Sequence, residues 1–250
     1  MLFRSDIGAL AALGITRIQV SVRPKVAIIS AGDEVVPPEA TPSPGQVRDI
    51  NTYTLSGLVT QAGGIPLPQG IISDDFAALA TAARGAVEKA EVVVVSSGSS
   101  ISTRDMTARV IASLGEPGVI VHGVSLRPGK PTILAVVNGK PVFGLPGNPV
   151  SAMVVFDLFV RPTIYRVAGC AEPPRLPNVT ARLTHNIPST TGREDYVPVT
   201  LDQKNGEYWA SPVFGESNLI TTMVRADGVA RIPLDKHGLT EGELVSVRLF

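Results

Sequence analysis

Cysteine is almost missing from this chain. Cys170 is the only one among 250 residues, so no disulfide can close within it, and a soluble protein of the reducing cytoplasm is the expectation. A surplus of either charge is missing too. Twenty-two basic and 22 acidic residues give a formal net charge of +0. No global field draws in nucleic acid or anionic lipid, so neither is expected as a partner. No apolar run approaches the roughly 18 residues of a membrane helix. The opening stretch MLFRSDIGALAALGI is interrupted by Asp6 and Gly14 and does not read as a signal peptide. Several catalytic signatures are absent as well. There is no G-x-S-x-G, and none of His122, His185 and His237 is placed by sequence as the base of a serine nucleophile. No Cys/His cluster suits zinc. Neither G-x-x-x-x-G-K-[ST] nor G-x-G-x-x-G occurs, which disfavours the ordinary nucleotide loops.

What is present is a 44% hydrophobic chain, enough for one large domain or two ordinary ones. Residues 1–24 hold a short helix pattern, with Ser5 as its cap and Gly14 as its stop, and an alternating stretch, RIQVSV, that reads as a strand. From Lys25 the texture becomes regular. KVAIIS reads as a buried strand. Asn51 is placed to cap a helix carrying Leu55, Leu58, Val59 and Ala62, stopped by Gly63 and Gly64. IPLPQGII carries two prolines, which restrict it to an edge or an irregular path. Ser73 is placed to cap an amphipathic helix with Phe76, Leu79, Ala80, Ala83 and Val87 inward. EVVVVSS is apolar on both faces, as a central parallel strand should be. A helix is expected from about Asp105 to Leu114. GVIVHGV and TILAVV read as strands, and Asn138-Gly139 as a hairpin turn into PVFGL. A buried helix follows. The order predicts an α/β domain over 25–170: a three-layer, mostly parallel sheet with helices on both faces. AEPPRLP reads as a linker. Residues 171–250 alternate like short strands, with a second hairpin at Asn205-Gly206 and one short helix after Ser217, and predict a small β-rich domain.

In such sheets ligands bind beyond the carboxyl ends of the strands. Three of those ends carry glycine with small or acidic residues. The first has Gly32, Asp33 and Glu34, the second Ser97, Gly98, Ser99 and Ser100, the third Pro146, Gly147, Asn148 and Pro149. Each has a plain alternative. Asn148 and Pro149 suit a helix cap and first helical residue, yet capping leaves Gly147 unexplained, and a helix start also exposes amide donors suited to phosphate. The hydroxyl-rich SSGSSISTRD, ending at Asp105, could hold an oxyanion or simply cap a helix. In RPGKP, Arg127 and Lys130 could form a solvated turn or a cationic arm for phosphate- or molybdate-like anions. Asp33, Glu34, Asp49 and Asp105 are the acids that could share Mg2+ with substrate phosphate.

Taken in order, GDE, RDIN, SSGSSISTRD, RPGKP and GLPGNPVSA resemble the molybdopterin molybdenumtransferase family, which includes the gephyrin E region of animals. The resemblance spans roughly Arg23 to Gly169, and the β-rich tail resembles the family's C-terminal domain. It implies insertion of molybdate into adenylylated molybdopterin with release of AMP, Mg2+ or a similar ion as cofactor, and a homodimer. Carried across, it implies Asp49 and Asp105 as catalytic and metal-site acids and Lys130 as a catalytic cation meeting anionic substrate. Gly98, Ser99 and Ser100 would line the pterin-phosphate pocket, with Gly147, Asn148 and Ser151 as the opposite wall. Asn51, Pro128, Gly129 and Pro131, with the remaining strand-end residues, complete the implied substrate-binding set. The family commonly has SGG after the third strand; here Ser99 and Thr103 stand in a loop one residue shorter. Residues 1–24 resemble the tail of an N-terminal region that family members carry, so a shortened chain is expected. The other readings are a non-catalytic pterin-binding module and a molybdopterin adenylyltransferase-like protein.

Overall fold

In the computed structural model, residues 4–98, 101–172, 174 and 176–250 are described, with 101–104 as backbone only. Helix α1 (Arg4–Ala12) buries none of its residues. Its span takes in Ser5, which is therefore not its cap, and RIQVSV forms no strand. Among the described residues no strand pairs with that stretch, and alternation alone does not make a ladder. The regular part begins with β1 (Lys25–Ala31), α2 (Asn51–Gln61), β2 (Ile65–Ile72), α3 (Phe76–Lys89), β3 (Val92–Ser97), α4 (Ile101–Ser113) and β4 (Pro117–His122). It continues through the hairpin β5 (Ile133–Val137) and β6 (Lys140–Pro146) to α5 (Pro149–Val155), a π-helical turn (Phe156–Val160) and α6 (Arg161–Val167).

The strands form one sheet in the order β2-β1-β3-β6-β5-β4. The β2–β1, β1–β3 and β3–β6 pairs are parallel, and the β6–β5–β4 end is antiparallel. Two prolines keep β2 at the edge, and its register slips between Ile28 and Ser30 of β1. The continuous apolar runs are explained by burial on both faces. Ala27, Ile29, Val93 and Val95 pack with Leu79 and Ala83 of α3 and Val110 and Ile111 of α4. Val26, Ile28, Val92 and Val94 pack with Leu55 and Val59 of α2, Phe156 and Ile164. Asn138 and Gly139 both take positive φ in the β5–β6 turn, as the two-residue hairpin requires.

Several local expectations are corrected. Asn51 does not cap α2; the Asp49 carboxylate accepts the Thr52 amide there instead, at 3.0 Å. The cap of α3 is Asp75, two residues past Ser73, accepting the Ala78 amide at 2.8 Å. Helix α4 begins at Ile101, so Asp105 lies inside it rather than at its start. Phe76 stays 39% exposed, and Ala86 takes the buried place on α3.

The second unit contains β7 (Asn178–Leu183), β8 (Glu194–Lys204), β9 (Glu207–Pro212), α7 (Thr221–Arg225), β10 (Gly228–Ile232) and β11 (Leu244–Leu249). Pairings run β9-β7-β11-β10-β8, and β8 pairs β9 again. The strands thus close into a ring around Leu183, Val199, Ala210, Ile232 and Val247, and closure removes exposed edges. The two units are tied directly. Leu126–Arg127, from the loop between β4 and β5, pairs in parallel with Glu194 and Asp195 of β8. The Val150 amide of α5 donates to the Ser217 carbonyl at 3.1 Å. No helix among the described residues is long and apolar enough to cross a membrane.

Candidate functional site

The strand ends meet as the sequence order predicts. Ala31 is registered with Ser97, and Ser97 with Pro146, so Gly32, Gly98 and Gly147 leave the sheet side by side. Helix α2 supplies the polar groups beneath this rim. Asn51 is buried and donates from Nδ2 to Ser96 Oγ at 2.7 Å and to the Gly147 carbonyl at 2.8 Å. Its Oδ1 is buried without a hydrogen-bond partner. Asp49 is also buried. Its Oδ1 accepts from Ser30 Oγ at 2.9 Å and from the Thr52 amide at 3.0 Å. Asp33 Oδ1 accepts the Asp74 amide at 3.1 Å and so braces the turn after β1. The Glu34 carboxylate folds back over Gly32, where an added Cβ would meet Oε2 at 2.5 Å. Asp105 is exposed on α4. Ser99 and Ser100 lie outside the described residues.

Gly147 has a structural reason that capping did not provide. A Cβ there would meet the Ser97 carbonyl oxygen at 2.7 Å and Gly98 Cα at 3.2 Å. The loop after β6 presses on the loop after β3, and only glycine allows that approach. Asn148 has the extended backbone of a cap, but its side chain bonds no helix amide. Its Nδ2 donates to Ser217 Oγ in the second unit, at 2.9 Å. With Val150 N–H also used by Ser217, this helix start holds the neighbouring domain.

The remaining predicted residues lie around a cleft of about 1040 Å3 between the two units. Pro128, Gly129, Lys130 and Pro131 line one side, with Pro146, Asn148 and Ser151; the barrel side brings Arg193, Asp195, Tyr196, Phe214 and Ser217. Pro149 is buried at the first position of α5, behind that wall. Lys130 is exposed. Gly129 has φ +120, and a Cβ would meet Val155 Cγ2 at 2.6 Å, so the loop is seated on α5. Across from it, Asp195 is 2% exposed. It accepts Arg193 Nε at 2.8 Å and lies 3.6 Å from Arg127 Nη1. Next to it, burial and a hydrogen bond to Glu194 push the Tyr196 hydroxyl up to about 12. Burial alone would raise Glu194, but hydrogen bonds from Arg231 and Tyr196 hold its carboxyl below the usual value. The cleft thus presents three cations, Arg127, Lys130 and Arg193, against two carboxylates, Asp195 and Glu216, beside small polar groups. Such a surface suits a tetrahedral oxyanion.

Comparison with known proteins agrees with this layout. Residues 27–166 match the family described as "Probable molybdopterin binding domain", and residues 180–250 match "MoeA C-terminal region (domain IV)". The chain belongs to the molybdopterin-binding domain family, in its MoeA form. It is 34% identical to molybdopterin molybdenumtransferase 1 of Mycobacterium tuberculosis, over 97% of this chain and 58% of that protein. It is 33% identical to the molybdopterin molybdenumtransferase of Nostoc sp., over 97% of this chain and 57% of that protein. A solved molybdopterin biosynthesis MoeA protein from Pyrococcus horikosii superimposes with a TM-score of 0.85 at 40% identity, covering 99% of this chain and 60% of that one. The chain therefore spans somewhat over half the length of these relatives.

Within this MoeA layout the predicted residues separate into two groups. Asp49, Asn51, Ser97, Gly98 and Gly147 gather at the rim; Lys130, Asn148 and Ser151 face the cleft; Pro146 belongs to both. Sequence reasoning missed Arg193, Asp195 and Ser217. The available signal was two adjacent acids, Glu194 and Asp195, at the start of a strand with a buried pattern. A carboxylate at a buried strand position needs a cationic partner.

Proposed function

We propose that this chain carries out, or forms the catalytic part of, molybdopterin molybdenumtransferase activity: molybdate enters adenylylated molybdopterin and AMP leaves. The observation that carries the reading is the cleft where Lys130 and Arg127 of the α/β domain and Arg193 of domain IV face one volume beside the strand-end rim. In this reading Lys130 donates to an oxyanion oxygen as a point charge, and Arg193 offers a planar fork. The rim of Ser97, Gly98 and Gly147 holds the phosphate-bearing part of the pterin substrate, and Asn51 beneath it fixes the Gly147 carbonyl.

A divalent cation such as Mg2+ also fits. Among the described residues no group of three His, Cys, Asp or Glu forms a protein-only cage. Asp49, however, has used Oδ1 for two hydrogen bonds and keeps Oδ2 available. Mg2+ commonly takes one or two carboxylates plus substrate oxygens, so Asp49, with Asp105 as second candidate, would hold it and let it neutralise phosphate charge. A homodimer belongs to the same proposal, and light scattering tests it.

The test is molybdate-dependent release of AMP from adenylylated molybdopterin. Lys130→Ala should lower the rate at least tenfold. No release from the chain, even with the remaining region of a relative supplied, rules the activity out. One observation favours a second reading, a pterin-binding module without turnover: the family matched over residues 27–166 is described by binding alone. That reading predicts molybdopterin binding by calorimetry with no AMP release. The domain IV match argues against an adenylyltransferase-like protein.

A further inference from the structure

Of the two carboxylates that line the cleft, Glu216 is exposed, whereas Asp195 is buried among the cations. Asp195 is 2% exposed, and it touches cationic side chains from both walls. Oδ1 accepts Arg193 Nε at 2.8 Å, Oδ2 accepts Arg193 Nη2 at 3.4 Å, and Arg127 Nη1 stands 3.6 Å from Oδ2. Backbone pairing fixes the same meeting point. Arg127 is registered with Asp195, and the Glu194 amide donates to the Ser125 carbonyl at 2.9 Å.

A carboxylate here weakens the local positive potential, so on charge alone it opposes an oxyanion. Its geometry does the reverse. A guanidinium has five N–H donors in a rigid plane. Asp195 takes the Nε–Nη2 edge of Arg193 and so fixes the plane, while Nη1 and the outer edge remain for a ligand. Untethered, the long side chain would lose rotamer freedom on each binding event, at a cost typical of an immobilised side chain. The ion pair to Arg127 extends the same control to the loop that carries Lys130.

We infer that Asp195 is a positioning residue: it aligns Arg193 and the Arg127–Pro131 loop for a tetrahedral oxyanion of the molybdate type. The inference rests on the oxyanion reading of the cleft. Its consequence has a sign that separates it from simple electrostatics. Asp195→Asn preserves the shape and removes the negative charge. A charge-only role makes molybdate bind more tightly in the variant; a positioning role makes it bind at least tenfold more weakly. Arg193→Lys keeps the charge and loses the two-point attachment. Because Arg193 is partly exposed, this variant is not expected to disturb folding, and it too should bind at least tenfold more weakly.

The experiment is calorimetric titration of sodium molybdate into the full chain, as wild type and as both variants. Nitrogen-15 NMR of the arginine Nε–H groups accompanies it. The wild type should show one slowly exchanging Arg193 Nε–H that speeds up in Asp195→Asn, a change that general loosening of the fold would not confine to one group. If the wild type takes up no molybdate, the cleft reading fails and this inference fails with it. If the wild type binds and the variants bind equally or more tightly, the positioning role alone is overturned. Should Asp195→Asn not fold, Arg193→Lys decides by itself.

Discussion

At the scale of single residues, GLPGNPVSA shows how one glycine can be fixed by packing between loops. Gly147 has no positive φ to excuse it; its constraint is the Ser97 carbonyl 2.7 Å from the place a Cβ would occupy. Gly147→Ala forces two strand-end loops apart. A loss of about 1–3 kcal/mol, the usual range for overpacking, is expected from urea unfolding. Gly57 is the internal control. It sits exposed within α2, and nothing lies within 4 Å of its absent Cβ. Gly57→Ala should stabilise by about 0.4–1 kcal/mol, because alanine restricts the unfolded chain and strains nothing in the folded one. An unchanged midpoint for Gly147→Ala would mean that the rim is loose and that the close approach does not constrain it.

At the scale of elements, strands and hairpins were more legible than caps. EVVVVSS announced a central strand because both of its faces are buried. Asn138-Gly139 and Asn205-Gly206 announced turns because both residues of each pair take positive φ. Caps were misread because neighbouring residues compete for them. Asp49 outdoes Asn51, whose amide is drawn to Ser96 and Gly147, and Asp75 outdoes Ser73. RIQVSV alternates, but no strand among the described residues pairs with it. Arg193 and Asp195 could not be joined to RPGKP by local pattern, since almost 70 residues separate them and only strand pairing between domains brings them together. The same strand carries a second cluster whose behaviour with pH can be derived. Tyr196 of β8 is registered with Arg231 of β10 and donates to Glu194 at 2.8 Å. Burial, then the Glu194 contact, raises its folded value to about 12, against 10.0 for the free side chain. Between those values the folded state binds the proton more tightly than the unfolded state does. The stabilisation is therefore complete below pH 10 and declines as pH rises toward 12. Unfolding free energies measured by urea across this alkaline range should fall with pH. Tyr196→Phe should flatten the fall, and an equal slope in the variant would remove Tyr196 as its source.

At the scale of the whole molecule, the cleft exists only while the barrel stays seated on the α/β domain, so the ties between them are part of the site's chemistry. One tie is ionic and partly buried, with the side chains of Asp157 and Arg248 10% and 18% exposed. Asp157 sits in the π-helical turn, and such turns are frequent at functional sites. Its Oδ1 accepts Arg161 Nε at 2.8 Å, and its Oδ2 accepts Arg248 Nη2 of β11 at 3.1 Å. Arg161 is 5% exposed and reaches on to Gln61 of α2 at 3.0 Å. Such a pair need not add net stability compared with apolar residues, but removing its anion leaves the buried Arg161 and the partly exposed Arg248 uncompensated. Asp157→Asn should therefore cost about 1–3 kcal/mol. Glu243→Gln, which breaks the partly exposed pair with Lys236, should cost less than about 1 kcal/mol. The location of the loss is as telling as its size. Because Asp157 links the two domains, its variant should unfold in two steps in urea, followed by Trp209 fluorescence for the barrel and by circular dichroism for the α/β domain. On the proposed oxyanion role of the cleft, molybdate affinity should fall with the loss of domain seating. A single shared transition with undiminished affinity would show that the Leu126–Arg127 pairing and the Ser217 contacts hold the domains together without this ion pair.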